Sequence, residues 1–171
     1  MYEEFTLNVS VPFPPIAAAY LSDFYRAPAL DKSCTDAHPL DPHQCWSQSV
    51  HYPYVSTPLL VAENRFDKNQ IIAVLGMKGN GTTQEKYKVY FGKQMQDTAI
   101  HEVLTSPKHD GAFFPSCFEH TANLCMLGGS LVQNISYAAV LSDWYFGRNQ
   151  LPHQLIDDCG DAPCNPKCTC V

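Results

Sequence analysis

Asp67 and His120 are the two residues of this 171-residue chain whose types and order suit hydrolytic chemistry. Asp67 lies in ENRFDKNQ, directly after the apolar run LLVA, and His120 closes SCFEH, directly after GAFF. An aspartate bonded to one ring nitrogen fixes the tautomer of an imidazole and stabilises its protonated form. The other nitrogen then takes the proton of a hydroxyl nucleophile. Plainer roles compete with this one. An aspartate past a strand also serves as a helix N-cap. Spacing alone does not separate His120 from His38, His43, His51, His101, His109 and His153, of which His101 and His109 read as surface residues.

The elements that must position the pair follow from hydrophobic patterning. Residues 11–58 are punctuated by VPFPP, RAPAL, HPLDPHQ and HYPYVSTP and read as short helices and loops, with IAAAYLSDFY the best helix former among them. Thr57-Pro58 introduces LLVAEN, a short buried strand, and the polar Asp67 loop follows it before the apolar IIAVLG. A carboxylate in a loop after a strand sits at the edge of a sheet where α/β proteins build their sites. Apolar residues at three- and four-residue spacings predict an amphipathic helix over 85–104, ended by Pro107. A second strand over 111–118 leads to His120, and a second helix is expected over 131–146, stopped by Gly147. The order is strand, Asp loop, helix, strand, His loop, helix, an alternating α/β arrangement.

Composition narrows the class. The net charge is −6 and the eleven Lys and Arg are scattered, so no basic stripe faces a nucleic acid. No apolar run reaches the roughly 20 residues of a membrane span. Eight cysteines (Cys34, Cys45, Cys117, Cys125, Cys159, Cys164, Cys168 and Cys170) argue for disulfides and an oxidising compartment. Sequons at Asn8, Asn80 and Asn134 point the same way. The start, MYEEFTLNVSVPFPP, lacks the apolar core of a signal peptide, so the chain is expected to be the later part of a longer secreted protein. Cys34 and Cys45 are close enough to close a small loop, though they could equally reach elsewhere. The four tail cysteines lack the paired Cys-x-x-Cys spacing of a zinc site, so disulfides to Cys117, Cys125 or within the tail are favoured and no metal is expected. Their connectivity stays open, with about 105 pairings for eight cysteines.

SCFEH, with DWYFGR downstream and the closing DDCGDAPCNPKC, resembles the C-terminal part of the pectin acetylesterase and Notum family of secreted carboxylesterases. The resemblance runs from about Cys34 onward. It implies an α/β-hydrolase-like fold with a mixed or parallel sheet, of which residues 1–171 form the C-terminal portion. Within it, 1–56 is the loop and short-helix section, 57–150 the α/β section and 151–171 a disulfide-rich tail. Phe66-Asp67 matches the family's triad aspartate, and Ser116 to His120 match the segment that ends in its histidine, which makes Cys117 a disulfide partner that fixes the His loop.

The same resemblance places the nucleophile upstream, in a Gly-x-Ser-x-Gly elbow that no serine here occupies. Ser130 in LGGSLVQ follows His120, lacks the trailing glycine, and is expected to start a helix instead. Without nucleophile and oxyanion hole, this chain alone is expected to be inactive or nearly so. The implied substrate is an acylated polysaccharide of the cell-wall type, or another acyl ester, with no cofactor. A fatty-acyl protein ester, as for Notum, and a non-catalytic secreted binding module are the alternatives.

Overall fold

The computed structural model describes residues 30–46, 48–74, 82–108, 110–120, 130–158 and 160–168. The chain divides into two compact units, Met1–Thr57 and Pro58–Val171. The expected helix IAAAYLSDFY lies outside the described residues, as do Asn8, Asn80, Cys125, Cys159 and Cys170.

The described part of the first unit is short helices, as its prolines demand. Asp31 caps α1 (Lys32–Ala37), its carboxylate accepting the amides of Ser33 and Cys34 at 2.8 and 3.2 Å. These bonds, first among them the one from the Ser33 hydroxyl, hold its pKa below the usual carboxylate value. A 3-10 turn (Pro42–Trp46), α2 (Gln48–His51) and a second 3-10 turn (Tyr52–Tyr54) follow. Cys34 and Cys45, both buried, are joined in a disulfide that closes this small loop.

The second unit is built on three parallel strands in the order β1 (Leu60–Ala62), β2 (Gly111–Phe114) and β5 (Gln154–Ile156). The central strand β2 is buried throughout, which is why GAFF reads as a continuous apolar run and not as an alternating one. Phe113 joins Val132, Val140 and Leu155 in the core, with Leu60, Ala62, Ile135 and Tyr137 packed around them. Each fully buried side chain of this size stabilises the fold by about 1.5–3 kcal/mol. β2 ends at Phe114, earlier than the apolar run through Phe118 suggests, because Pro115 cannot donate to a ladder.

Between β1 and β2 the chain forms a π-helical turn (Gln70–Val74) and then α3 (Thr82–Met95). A five-residue π segment (Gln96–Ile100) carries α3 into α4 (His101–Thr105). Tyr87, Phe91, Ile100 and Val103 face the core as their spacing requires, and the exposed His101 is a surface residue. Gly92 lies where a Cβ would collide with the Phe66 ring, 2.6 Å from its Cζ. A glycine here lets α3 approach the residue next to Asp67.

The helix expected over 131–146 is corrected by the structure. Leu131–Val132 (β3) and Ile135–Ser136 (β4) pair as an antiparallel hairpin, and only Tyr137–Tyr145 (α5) is helical. The two turn residues, Gln133 and Asn134, have φ of 52° and 64°. That left-handed pair makes a tight hairpin turn, which an asparagine tolerates better than most residues. Ser136 then caps α5 by accepting the Ala139 amide at 3.2 Å. Ser130 starts no helix; it is buried just before β3, its hydroxyl 3.9 Å from the Cys117 sulfur.

Candidate active site

The site forms because β1 and β2 keep running side by side after their regular pairing ends. Glu63 N donates to Phe113 O at 3.3 Å, Arg65 N to Pro115 O at 3.0 Å, Phe66 N to Cys117 O at 3.3 Å and Lys68 N to Glu119 O at 3.4 Å. This ladder delivers Asp67 and His120 together at the C-terminal edge of the sheet. The Nδ1 of His120 lies 2.9 Å from Oδ2 of Asp67. Asp67 is 1% exposed, whereas the His120 side chain is 54% exposed. An ionised carboxylate only accepts hydrogen bonds, so with Asp67 ionised the Nδ1–H of His120 donates. Nε2 is left as the basic atom of the ring, on a side chain open to its surroundings.

Each partner is held from more than one side. Asp67 Oδ1 accepts the Gln70 amide at 2.6 Å, and the Ile71 amide donates to the Asp67 carbonyl at 3.0 Å. Asp67 thus both caps the turn after it and grips the imidazole, so its capping role and a catalytic one are compatible. On the histidine side, the Glu119 carbonyl accepts from Asn64 Nδ2 at 2.8 Å as well as from Lys68 N. Phe118 lies under the ammonium of Lys88 on α3, 4.2 Å from its ring centroid. Cys117 is bonded to Cys168, and the Ser116 carbonyl accepts the amides of Cys164 and Asn165 at 3.1 and 3.2 Å. Asp157, just past β5, accepts the Ser116 amide at 2.8 Å. The tail therefore braces the His loop on the side opposite the Asp turn. Cys164 is also disulfide-bonded, so two of the four tail cysteines are not available as thiolate ligands.

A second buried carboxylate also pairs with a histidine. His153 Nε2 lies 2.8 Å from Asp143 Oδ2, which further accepts the amides of Gln150 and Leu151 at 3.1 and 3.3 Å. Desolvation opposes ionisation of Asp143, but these donors outweigh it and hold the carboxyl below its usual range. His153 directly precedes β5, and its carbonyl accepts the Ala112 amide at 2.7 Å, so this pair sits at the N-terminal edge of the sheet. It closes the loop after α5. Position along the strands thus separates His120 from His153. His38, in the first unit, meets Tyr54 at 3.4 Å, and His109 is outside the described residues.

Sequence reasoning passed over Glu63, Asn64 and Arg65, three polar residues at the end of a buried strand, all at least partly buried. Asn64 is 1% exposed and its Oδ1 has no hydrogen-bond partner among the described residues. Arg65 Nη1 donates to the Asp157 carbonyl at 3.3 Å. Polar side chains where an apolar strand ends are the signal that was available. It was also missed that LPHQLI, treated as the start of the tail, supplies the third strand of the sheet. Among the described residues no group of side chains is arranged to hold a metal ion.

The family model described as pectinacetylesterase matches residues 23–169. Pectin acetylesterase 7 of Arabidopsis thaliana is 29% identical over 182 aligned residues, covering 90% of this chain and 45% of that protein. Two crystal forms of the Wnt deacylase Notum from Drosophila superpose with TM-scores of 0.73 and 0.70 at 22% and 23% identity. They cover 92% and 91% of this chain and 43% of Notum in each case, so the chain spans less than half the length of these relatives. The structural likeness places the parallel strands in an α/β-hydrolase-like fold. With the match extending over all of the described residues, the chain belongs to the pectinacetylesterase family.

Proposed function

We propose that this chain carries the Asp–His half of a serine carboxylesterase, with Asp67 orienting His120 and His120 acting as general base. The serine and the oxyanion hole are contributed by polypeptide outside these residues. The observation that carries the reading is the 2.9 Å contact between a buried carboxylate and the Nδ1 of a half-exposed imidazole at the C-terminal edge of a parallel sheet. In the reaction, Nε2 takes the serine proton as the hydroxyl oxygen attacks the ester carbonyl. It then returns that proton to the departing alkoxide, and a water repeats the cycle on the acyl-enzyme. Asp67 holds the ring and stabilises its positive charge throughout.

The substrate class we favour is an acetylated cell-wall-type polysaccharide, supported by the family match and by the Arabidopsis relative named pectin acetylesterase. The likeness to Notum is one of fold and adds no substrate. An extracellular setting is supported by the disulfides Cys34–Cys45 and Cys117–Cys168, and by the exposed Asn134 sequon in its hairpin turn. Among the described residues no helix is long and apolar enough to cross a membrane.

The test is hydrolysis of p-nitrophenyl acetate by two proteins, the chain itself and a hybrid in which the N-terminal part of a plant pectin acetylesterase precedes it. The chain alone is expected to be no faster than its His120→Ala variant. The hybrid is expected to turn over and to lose about 10³–10⁴-fold in kcat on either His120→Ala or Asp67→Asn. A folded hybrid whose activity survives both substitutions sinks the assignment of these residues. Activity of the chain alone, abolished by His120→Ala, would place a nucleophile within these residues and overturn the claim that it lies outside.

A further inference from the structure

The peptide plane that carries His120 is gripped by a side chain that the proposed reaction does not use. Past β1 the backbone rungs to the neighbouring segment lengthen toward the site, from 3.0 Å at Arg65 N–Pro115 O to 3.3 Å at Phe66 N–Cys117 O and 3.4 Å at Lys68 N–Glu119 O. The last rung holds least, and the chain turns away directly after it, with the Gln70 amide bonded to Asp67 Oδ1. At that point Asn64 Nδ2 donates to the same Glu119 carbonyl at 2.8 Å. This carbonyl belongs to the peptide bond whose nitrogen is that of His120, so holding its oxygen fixes the plane from which the imidazole projects. Asn64 is itself set between two ladder residues. Glu63 N and Arg65 N donate to the Phe113 and Pro115 carbonyls, while the Asn64 amide turns back to Glu63 Oε1 at 2.9 Å.

We propose that Asn64 is a positioning residue for His120: its side-chain amide clamps the Glu119–His120 peptide and so keeps Nδ1 aimed at Asp67. The inference rests on the Asp–His reading above. Asn64 is 1% exposed, so water does not compete for its bond. A carbonyl oxygen only accepts, which turns the amide nitrogen toward Glu119 and leaves Oδ1 buried and without a partner among the described residues. That unsatisfied acceptor is a cost that a leucine of similar shape would not carry. What asparagine adds here is a donor, placed on the last peptide before the imidazole. With the donor gone, this peptide hangs on the 3.4 Å rung, and the ring spends less of its time against Asp67.

Nitrogen-15 spectra of the histidine rings test this on the chain as it is, at about pH 8, where an ordinary imidazole is neutral. A free neutral imidazole prefers the Nε2–H form, whereas the bond to Asp67 requires Nδ1–H, so the tautomer of His120 reads that bond directly. In Asn64→Leu and in Asn64→Ala the ratio of Nδ1–H to Nε2–H forms is expected to fall by up to about tenfold, the worth of one hydrogen bond. The Nε2–H proton signal of His153, bonded to Asp143 at the other edge of the sheet, is expected to persist in both. A His120 ratio that ignores both substitutions overturns the proposal, and so does loss of the His153 signal along with it, which would mean general loosening. In the native chain, Asn64 amide protons that exchange as fast as those of an exposed asparagine overturn it even if neither variant folds. A native His120 in the Nε2–H form would instead sink the Asp–His reading itself, so the two failures are distinct.

Discussion

At the scale of residues, the partly buried Glu63 makes stability depend on pH with a definite sign. Glu63 is raised from its usual 4.5 to about 6, chiefly by burial. Between those values Glu63 binds more protons in the folded chain than in the unfolded one, so its contribution to stability is full below pH 4.5 and is lost as pH rises through 6. The loss amounts to about 2 kcal/mol as an upper bound, since a tenfold change in proton affinity is worth about 1.4 kcal/mol. Urea unfolding at pH 4.5 and pH 7 checks it. Glu63→Gln is expected to remove most of the Glu63 share of the difference, and a variant whose pH dependence equals that of the native chain would contradict the burial described here.

At the scale of elements, Gly92 decides how closely α3 lies on the Asp turn. A methyl group at position 92 overlaps the Phe66 ring. Gly92→Ala is therefore expected to destabilise by about 1–3 kcal/mol despite the better helix propensity of alanine. Trimming the ring with Phe66→Leu should recover part of that loss, which a double-mutant cycle by urea unfolding measures. If Gly92→Ala stabilises the chain, the close approach is not real. The elements also show what the sequence made legible. LLVA, GAFF and the spacing of Tyr87, Phe91, Ile100 and Val103 could be read directly, because their burial is written in the order of apolar residues. The hairpin could not. Leu131, Val132 and Ile135 have a spacing that also suits a helix, and only the left-handed backbone at Gln133 and Asn134 distinguishes the two. β5 escaped because it is three residues long and flanked by polar groups. Asp67 and His120 were singled out and the structure brings them together, whereas Glu63 and Asn64 were passed over. The polar run after LLVA marks them as unusual, but their bonds to Phe113 and Glu119 on the neighbouring segment are not written in it.

At the scale of the whole molecule, the Cys117–Cys168 disulfide joins residues 51 apart in sequence and connects the His loop to the tail. Loop-closure entropy gives such a link about 4 kcal/mol, against about 3 kcal/mol for Cys34–Cys45 with its separation of 11. Replacing Cys117 and Cys168 together by serine is expected to lower the urea midpoint of the chain more than the same change at Cys34 and Cys45. It should also broaden the His120 ring signals in proton spectra, because the brace opposite the Asp turn is gone. Equal midpoints with unchanged His120 signals would show that the hydrogen bonds of Ser116 suffice.

The ladder that continues past β1 and β2 also restricts how the chain can change in length. Asp67 and His120 meet because two segments, each leaving its own strand, cover matched distances before they part. Side chains along both segments can be exchanged while the backbone bonds persist. Inserting or deleting a single residue in one segment alone shifts every later rung and carries one partner away from the other. Compensating changes in both would be needed to restore the meeting point, so the spacings from strand to Asp67 and from strand to His120 are constrained as a pair of lengths rather than as two separate ones.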